Sequence, residues 1–94
     1  MLRVTKTFED DSAVTLRLDG KLISTTLSDV EGLCLHYADK ENKLVALDFS
    51  GVAFIDESGA KLVRRIKSDR VAILNCSLFV KTFIDELPEE TSDR

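Results

Sequence analysis

Residues 47–62, with the sequence LDFSGVAFIDESGAKL, are the stretch that decides the fold. They begin inside a continuous apolar run at 44–47, which predicts a strand covered on both faces, as in a parallel sheet. The polar residues and the glycine at 48–51 predict the end of that strand. A second apolar stretch at 52–55 then leads into two acidic residues. The stretch therefore indicates a buried strand, a turn and the approach to a helix.

The acidic pair Asp56 and Glu57 predicts where this helix begins. Asp56 is suited to be the N-cap, because its carboxylate can accept hydrogen bonds from backbone N–H groups two or three residues further on. Glu57 would lie in the first turn, in the favourable field of the helix dipole. Gly59 would let another group approach that turn closely. Capping signatures are common, so this pattern is equally compatible with a purely structural role.

Apolar residues at a spacing of two predict two strands before this region. The first contains Leu2, Val4 and Phe8, and the second contains Val14, Leu16 and Leu18. A short polar segment, 9–12, separates the two strands. Because the connection is so short, it predicts an antiparallel hairpin.

Apolar stripes at helical spacing predict three helices. The first contains Leu27, Val30, Leu33, Cys34 and Tyr37, the second Leu62, Val63 and Ile66, and the third Phe79, Val80, Phe83, Ile84 and Leu87. The first helix is predicted to begin at Ser28, which has Glu31 in the capping-box position. A start one turn earlier, at Thr25 or Thr26, remains open. Ser77 is the predicted N-cap of the third helix.

With a short buried strand at 71–74, the predicted order of elements is β-β-α-β-α-β-α. A hairpin followed by two βα crossovers predicts a single α/β domain. Its sheet is mixed and mostly parallel, with an antiparallel N-terminal edge strand and flanking helices. The residues predicted to fill the core are Leu16, Leu18, Val45, Leu47, Phe54, Leu62, Ile66, Ile73, Phe79 and Phe83. The domain is predicted to span 1–87, and the polar tail 88–94 is predicted to be disordered because it has nothing to bury.

Composition and charge argue against several classes of protein. The chain has 94 residues, of which 44% are apolar and 32% charged, so wholesale disorder is not expected. The net charge of −4 argues against nucleic-acid binding, which needs concentrated positive charge. No apolar run reaches the ~20 residues of a membrane span, and no signal peptide is recognisable. A cytoplasmic protein without membrane insertion is therefore expected.

The sequence predicts no catalytic, metal or cofactor site. Cys34 and Cys76 are far apart and form no CxxC or Cys/His cluster. His36 has no partner at ligand spacing, and the acidic residues have no nucleophile and base to complete a catalytic set. There is also no GxGxxG or P-loop motif. We therefore expect neither metal, nor cofactor, nor enzymatic activity.

Residues 54–59, FIDESG, resemble the signature of the STAS domain, the fold of bacterial anti-sigma-factor antagonists and of sulfate-transporter tails. In that family a hydrophobic pair is followed by Asp-Ser-Ser/Thr-Gly, which opens a helix. Residues 16–23, LRLDGKLI, resemble the upstream strand and loop of the family, and residues 75–77 resemble its polar turn before a helix. The resemblance covers roughly residues 2–87, with the same order and spacing.

The resemblance also implies a change at the regulatory position of the family. In switchable antagonists, the serine directly after the aspartate of the motif is phosphorylated by a kinase that is also the anti-sigma factor. Glu57 occupies this phosphoacceptor position here. Ser58 occupies the second hydroxyl position and is the remaining candidate for phosphorylation. Lys21 and Ile23 stand where the family has acidic residues, so the chemistry facing the kinase is altered at three positions.

The charge of Glu57 leaves three interpretations open. A phosphoserine carries about −1.5 to −2 at neutral pH and a glutamate carries −1, so Glu57 could imitate the phosphorylated state. It could equally be a permanent contact for a basic partner. It could also be a helix-stabilising acid with no other role, worth about 0.3–1 kcal/mol.

The resemblance predicts a non-catalytic protein-interaction module, monomeric or weakly dimeric. Its partner would be an anti-sigma factor, a kinase-like regulator, or a larger signalling or transport assembly. The alternatives are a domain that binds a small ligand or nucleotide, and a regulatory subunit of a lipid or ABC transport assembly. The residues predicted to contact a partner are Gly20, Lys21, Ile23, Ser24, Asp56, Glu57, Ser58, Gly59 and Lys61. Among them, Ile23 is expected to be an exposed apolar anchor.

Overall fold

A computed structural model describes residues 2–86 of the chain. The predicted tail, 88–94, and the predicted end of the domain at Leu87 lie outside these residues. Within them, four strands and three helices follow the predicted order. They are β1 (Leu2–Glu9), β2 (Ala13–Leu22), α1 (Leu27–Leu35), β3 (Leu44–Ile55), α2 (Glu57–Ile66), β4 (Val71–Leu74) and α3 (Leu78–Glu86), with a π-helical turn, His36–Lys40, continuing α1.

The four described strands form one mixed sheet in the order β1-β2-β3-β4. β1 and β2 are antiparallel, whereas β3 is parallel to both β2 and β4. Asp10 stabilises the hairpin turn, because its Oδ1 accepts hydrogen bonds from the backbone N–H groups of Ser12 and Ala13, both at 2.8 Å. The predicted α/β fold, with its antiparallel N-terminal edge strand, is confirmed.

The described helices all pack on one face of the sheet. Buried residues alternate with more exposed ones along the first part of β2 and of β3, and the buried set forms one cluster with the helices. The strand and helix residues at the centre of this cluster are Val14, Leu16, Leu18, Leu22, Val45, Leu47, Phe49, Ile55, Val30, Cys34, Ala60, Leu62, Val63 and Val80. The prediction that residues 44–47 are covered on both faces is wrong. Leu44 is 55% exposed, since no described helix covers the opposite face.

The predicted strand end at 48–51 is also wrong, because β3 continues through it to Ile55. The register between β2 and β3 shifts after Arg17 and again after Gly20. Gly51 lies at this irregularity, where a Cβ would overlap the Asp19 carboxylate and come within 2.8 Å of the Leu18 carbonyl oxygen. The glycine therefore permits close approach of β2 and does not mark a turn.

Two predicted core residues are exposed, and three are half-buried. Phe79 is 69% exposed, because Val80 and Ile84, four residues apart on α3, are the ones that face the core. Phe54 is 45% exposed, since it points away from the face to which the buried Ile55 contributes. The half-buried residues are Ile66, Ile73 and Phe83. The other five predicted core residues, Leu16, Leu18, Val45, Leu47 and Leu62, are buried.

The predicted N-terminus of α3 is confirmed, and that of α1 is confirmed for one of its two alternatives. Ser77 caps α3 as predicted, with its hydroxyl accepting a hydrogen bond from the backbone N–H of Val80 at 3.2 Å. Of the two predicted starts of α1, the earlier one is confirmed, since α1 begins at Leu27 with Thr26 as its N-cap, and the capping box at Ser28 is not formed. This N-cap makes no side-chain hydrogen bond to the helix, because its hydroxyl is used in the preceding loop.

Candidate partner-binding site

The two loops predicted to contact a partner meet at one edge of the sheet. β2 and β3 are parallel, and their last residues, Leu22 and Ile55, are paired directly. Because the carboxyl ends of parallel strands lie at the same edge, the segments after them emerge side by side. Residues 20–24 and 56–59 are therefore neighbours, although more than thirty residues separate them in sequence.

Asp56 connects these two loops through both oxygens of its carboxylate. Its Oδ1 accepts a hydrogen bond from the backbone N–H of Gly59 at 2.8 Å, which is the predicted N-cap of α2. Its Oδ2 accepts a second hydrogen bond from the backbone N–H of Ser24 at 3.2 Å. Its own backbone N–H donates to the carbonyl of Leu22 at 3.3 Å. One residue therefore caps the helix and fixes the loop after β2 to it.

Thr26 holds that loop from the other side. Its hydroxyl accepts a hydrogen bond from the backbone N–H of Ile23 at 3.0 Å and lies 3.0 Å from the carbonyl oxygens of Lys21 and Ile23. Its backbone N–H also donates to the Ile23 carbonyl, at 2.8 Å. Ile23 is half-buried, so the prediction that this side chain is exposed is correct only in part. The loop leaves part of the side chain accessible.

Gly59 is buried in the first turn of α2, where the end of β2 approaches it. A Cβ there would overlap the Leu22 carbonyl oxygen and lie 2.8 Å from Cγ1 of Ile55. The close approach expected at Gly59 is therefore made by the chain itself. Gly20 has a left-handed backbone, with φ of 122°, at the register shift that leads β2 into the loop. Both glycines shape the site by allowing its backbone geometry.

Glu57 and Ser58 are displayed on the exposed side of the same turn. The Glu57 side chain is 63% exposed, and its Oε2 lies 3.4 Å from Nζ of Lys61, one turn further along α2. An exposed pair at this spacing adds only about 0.3–0.5 kcal/mol, but it places a cation beside the carboxylate. The phosphoacceptor position therefore presents a Glu-Lys pair with a serine hydroxyl next to it.

Phe54, which is predicted to lie in the core, is exposed next to these two loops. It is the register partner of Lys21, so the exposed ring lies at the base of the loop that contains Lys21 and Ile23. The signal for its exposure was present within 52–55. Ile55, one residue later, must face inward if α2 is to pack on the core, and successive side chains of a strand point to opposite faces. Phe54 adds an apolar group beside the charged part of the site.

The groups that the two loops display are suited to the recognition of another molecule. Among residues 2–86, no group of three His, Cys, Asp or Glu side chains is placed to hold a metal ion. A cavity of about 550 Å³ lies elsewhere, between α2, β4 and α3, and its lining includes Val63, Ile73 and Ile84. The two loops form an outward-facing surface with fixed backbone, an aromatic ring and mixed charges. Such a surface is suited to docking against another protein.

The fold and the loop geometry define a small α/β domain that displays a helix N-terminus and a neighbouring loop at one edge of its sheet. The model of the STAS domain family matches residues 5–77, which is most of the chain, so the chain belongs to the STAS domain family. Its structure is similar to the anti-sigma factor antagonist SpoIIAA in its unphosphorylated form, with a TM-score of 0.68 and 19% sequence identity. The match covers 92% of this chain and 84% of SpoIIAA. None of the curated protein sequences compared with the chain is similar to it.

The family and the fold predicted from residues 16–23 and 54–59 are thus both confirmed. No helix within the described part of the chain has the length and apolar character needed to cross a membrane.

Proposed function

We propose that this STAS domain is a non-catalytic interaction module of a bacterial regulatory system. It docks onto an anti-sigma factor or a related kinase-like regulator in the cytoplasm. The docking surface consists of loop 20–24, residues 56–59 and the adjoining face of α2 around Lys61. The similarity to an anti-sigma factor antagonist supports the class of partner, and the site supports the mode of binding.

The observation that carries this proposal is the double hydrogen bonding of Asp56. By accepting from Gly59 and Ser24, its carboxylate fixes two chain segments before a partner arrives. A preformed surface loses less conformational entropy on binding than a flexible one, so more of the contact energy appears as affinity. The residues that differ from the family pattern, Lys21, Ile23 and Glu57, all lie on this fixed surface. This placement favours an interface adapted to its own partner.

Glu57 acts in this proposal as a permanent negative contact. Lys61 lies beside its carboxylate, so the local charge is smaller than that of a phosphoserine, which carries about −1.5 to −2. This difference disfavours the interpretation of Glu57 as a full imitation of the phosphorylated state. A cationic side chain of the partner can replace Lys61 as the ion-pair partner of Glu57. Phe54 and the exposed part of Ile23 supply the apolar contacts that anchor such an interface.

The interface prediction concerns Glu57 and Ile23. We expect Glu57→Lys and Ile23→Asp each to weaken binding to the cognate kinase-type anti-sigma factor by at least ~1 kcal/mol, or about fivefold in Kd. The first variant reverses the charge of the contact, and the second places a carboxylate in its apolar part. Biolayer interferometry with the immobilised full-length chain measures the affinities. Circular dichroism melting checks that each variant folds.

Asp69→Lys is the matched control for that experiment. Asp69 is exposed and precedes β4, at the opposite end of the sheet from the two loops, so the same charge reversal should leave the affinity unchanged. Charge changes at Glu89 and Glu90 are also expected to have no effect. If Asp69→Lys abolishes binding while both site variants bind as the wild type does, the docking surface is assigned wrongly.

The phosphorylation prediction concerns Ser58. We expect the chain to gain no stoichiometric phosphate when it is incubated with the same kinase and ATP, because Glu57 occupies the acceptor position of the family. Intact-mass spectrometry measures the modification, and Glu57→Ser is the informative variant, since it restores a hydroxyl at that position. A full phosphate on Ser58 of the wild type would contradict this prediction. It would show a regulatory switch displaced by one residue.

A further inference from the structure

The sheet face opposite the helices carries a patch of exposed apolar side chains. Phe8 is 52% exposed, Leu44 55% and Leu74 41%, and each belongs to a different strand. They alternate with inward-facing residues, so all three point away from the core. Among the described residues nothing packs on this face, which we call the bare face. Its apolar patch comprises Phe8, Thr15, Leu44, Ala46, Ala72 and Leu74.

The strand register makes this patch continuous. Phe8 is paired with Thr15, Thr15 with Ala46, and Ala46 with Ala72, so one row crosses all four strands. This row has small side chains at its middle and Phe8 at one side, and Leu74 lies in the next row, on the opposite edge strand. A sheet face with small side chains between larger ones can pack against another sheet, as the inner faces of β-sandwiches do at a separation of about 10 Å.

The next row of the bare face carries balanced charges. Arg17 and Asp48 are direct register partners at its centre, and Leu74 follows Asp48 on β4. Arg17 also lies 3.0 Å from Asp19, and Asp48 accepts a hydrogen bond from Asn75 at 3.0 Å. Arg3 is the register partner of Asp19, so the face carries two cations and two anions here and favours neither an acidic nor a basic partner. A two-fold rotation that relates two copies would place Arg17 of one copy near Asp48 of the other.

We propose that the bare face pairs with the same face of a second copy of this chain. Two features support this occupant over a different protein. The patch and its charged border are self-complementary under two-fold symmetry, which is what an isologous interface requires. The border holds two cations and two anions although the chain carries −4 overall, so two copies that approach through this face meet little repulsion there.

The size of the patch sets the strength of this pairing. Four strands about 4.8 Å apart, over the rows from residue 44 to residue 48, give a plane of roughly 250–300 Å². This is near the size of large exposed patches on monomers and well below the ~800 Å² per partner of a standard interface. The dimer is therefore weak and reversible. It leaves loops 20–24 and 56–59 at the edge of each sheet, open to the partner of the proposed function.

Sedimentation velocity of the full chain, from about 10 μM to about 1 mM, tests this proposal. We expect the wild type to move toward twice its chain mass of 10.5 kDa as concentration rises. Leu44→Asp should raise the dimer Kd at least about tenfold, because it places a charge within the apolar patch, two residues before Ala46 on β3. Phe8→Asp, on the edge strand, provides a second variant in case Leu44→Asp is poorly folded by circular dichroism.

Leu78→Asp is the matched control, since Leu78 is 79% exposed but lies on α3, away from the bare face. It should dimerise as the wild type does. Ala46→Cys, near the centre of the patch, should form an intermolecular disulfide under mild oxidation, whereas Thr82→Cys, on the exposed side of α3, should not. A wild type that stays monomeric to about 1 mM overturns the proposal. Equal loss of dimer in Leu44→Asp and Leu78→Asp also overturns it, because association would then use another surface.

Discussion

Gly59→Ala is expected to destabilise the protein by about 1–3 kcal/mol, although alanine is the better helix former. The added Cβ would overlap the carbonyl oxygen of Leu22 and lie 2.8 Å from Cγ1 of Ile55. Neither group can move freely, because the first belongs to the backbone of β2 and the second is buried in the core. To relieve the contact, α2 must shift away from β2. That shift would stretch the Asp56 hydrogen bond to Ser24.

Gly32→Ala is the control, and the effect expected there has the opposite sign. Gly32 lies within α1, and a Cβ at that position would have no other group within 4 Å. Only the helix propensity then changes, so the variant should gain up to about 1 kcal/mol. Urea denaturation followed by circular dichroism measures both free energies of unfolding. If the two variants change stability in the same direction, the tight packing of β2 against the first turn of α2 is wrong.

The parts of the site that depend on residues three or four positions apart could be predicted from the sequence. Asp56 caps α2 through a backbone N–H three residues away, and the residue types at 56–59 are sufficient to expect it. The Glu57–Lys61 contact has the same character, since residues four apart on a helix face each other. The bond from Asp56 to Ser24 joins residues 32 positions apart in sequence. It depends on the pairing of β2 with β3, which no short window of sequence contains.

The errors in burial along the strands have one physical origin. A run of apolar residues such as 44–47 shows that a strand is apolar, but it does not show how many layers cover the sheet. Leu44 and Leu74 are exposed because the three described helices share one face. Phe54, in the apolar stretch 52–55, is exposed for the same reason, because it points away from the face that Ile55 helps to fill. The turn predicted at Gly51 is wrong for a different reason, since the absent side chain makes room for Leu18 and Asp19 of the neighbouring strand.

Leu47→Ala is expected to be the most destabilising single truncation that we consider, at about 2–5 kcal/mol. Leu47 is 1% exposed at the centre of β3, between paired β2 and β4 residues and beneath the helices. Removing three carbons there loses their transfer free energy and leaves a cavity, since strands on both sides restrict collapse. A domain of this size has a total stability of about 5–15 kcal/mol, so the loss is a large fraction of it.

Leu44→Ala is the control that distinguishes a sheet covered on one face, as in the structure, from one covered on both faces, as predicted from the sequence. Both leucines lie in the same apolar run of β3, and a strand covered on both faces would make both truncations costly. Because Leu44 is 55% exposed on the bare face, its truncation should change the free energy of unfolding by less than about 0.5 kcal/mol. Denaturation is measured at a few micromolar protein, where the proposed dimer is dissociated and does not contribute. Comparable losses in the two variants would mean that a second layer covers the sheet. The bare face, and the dimer proposed from it, would then both be wrong.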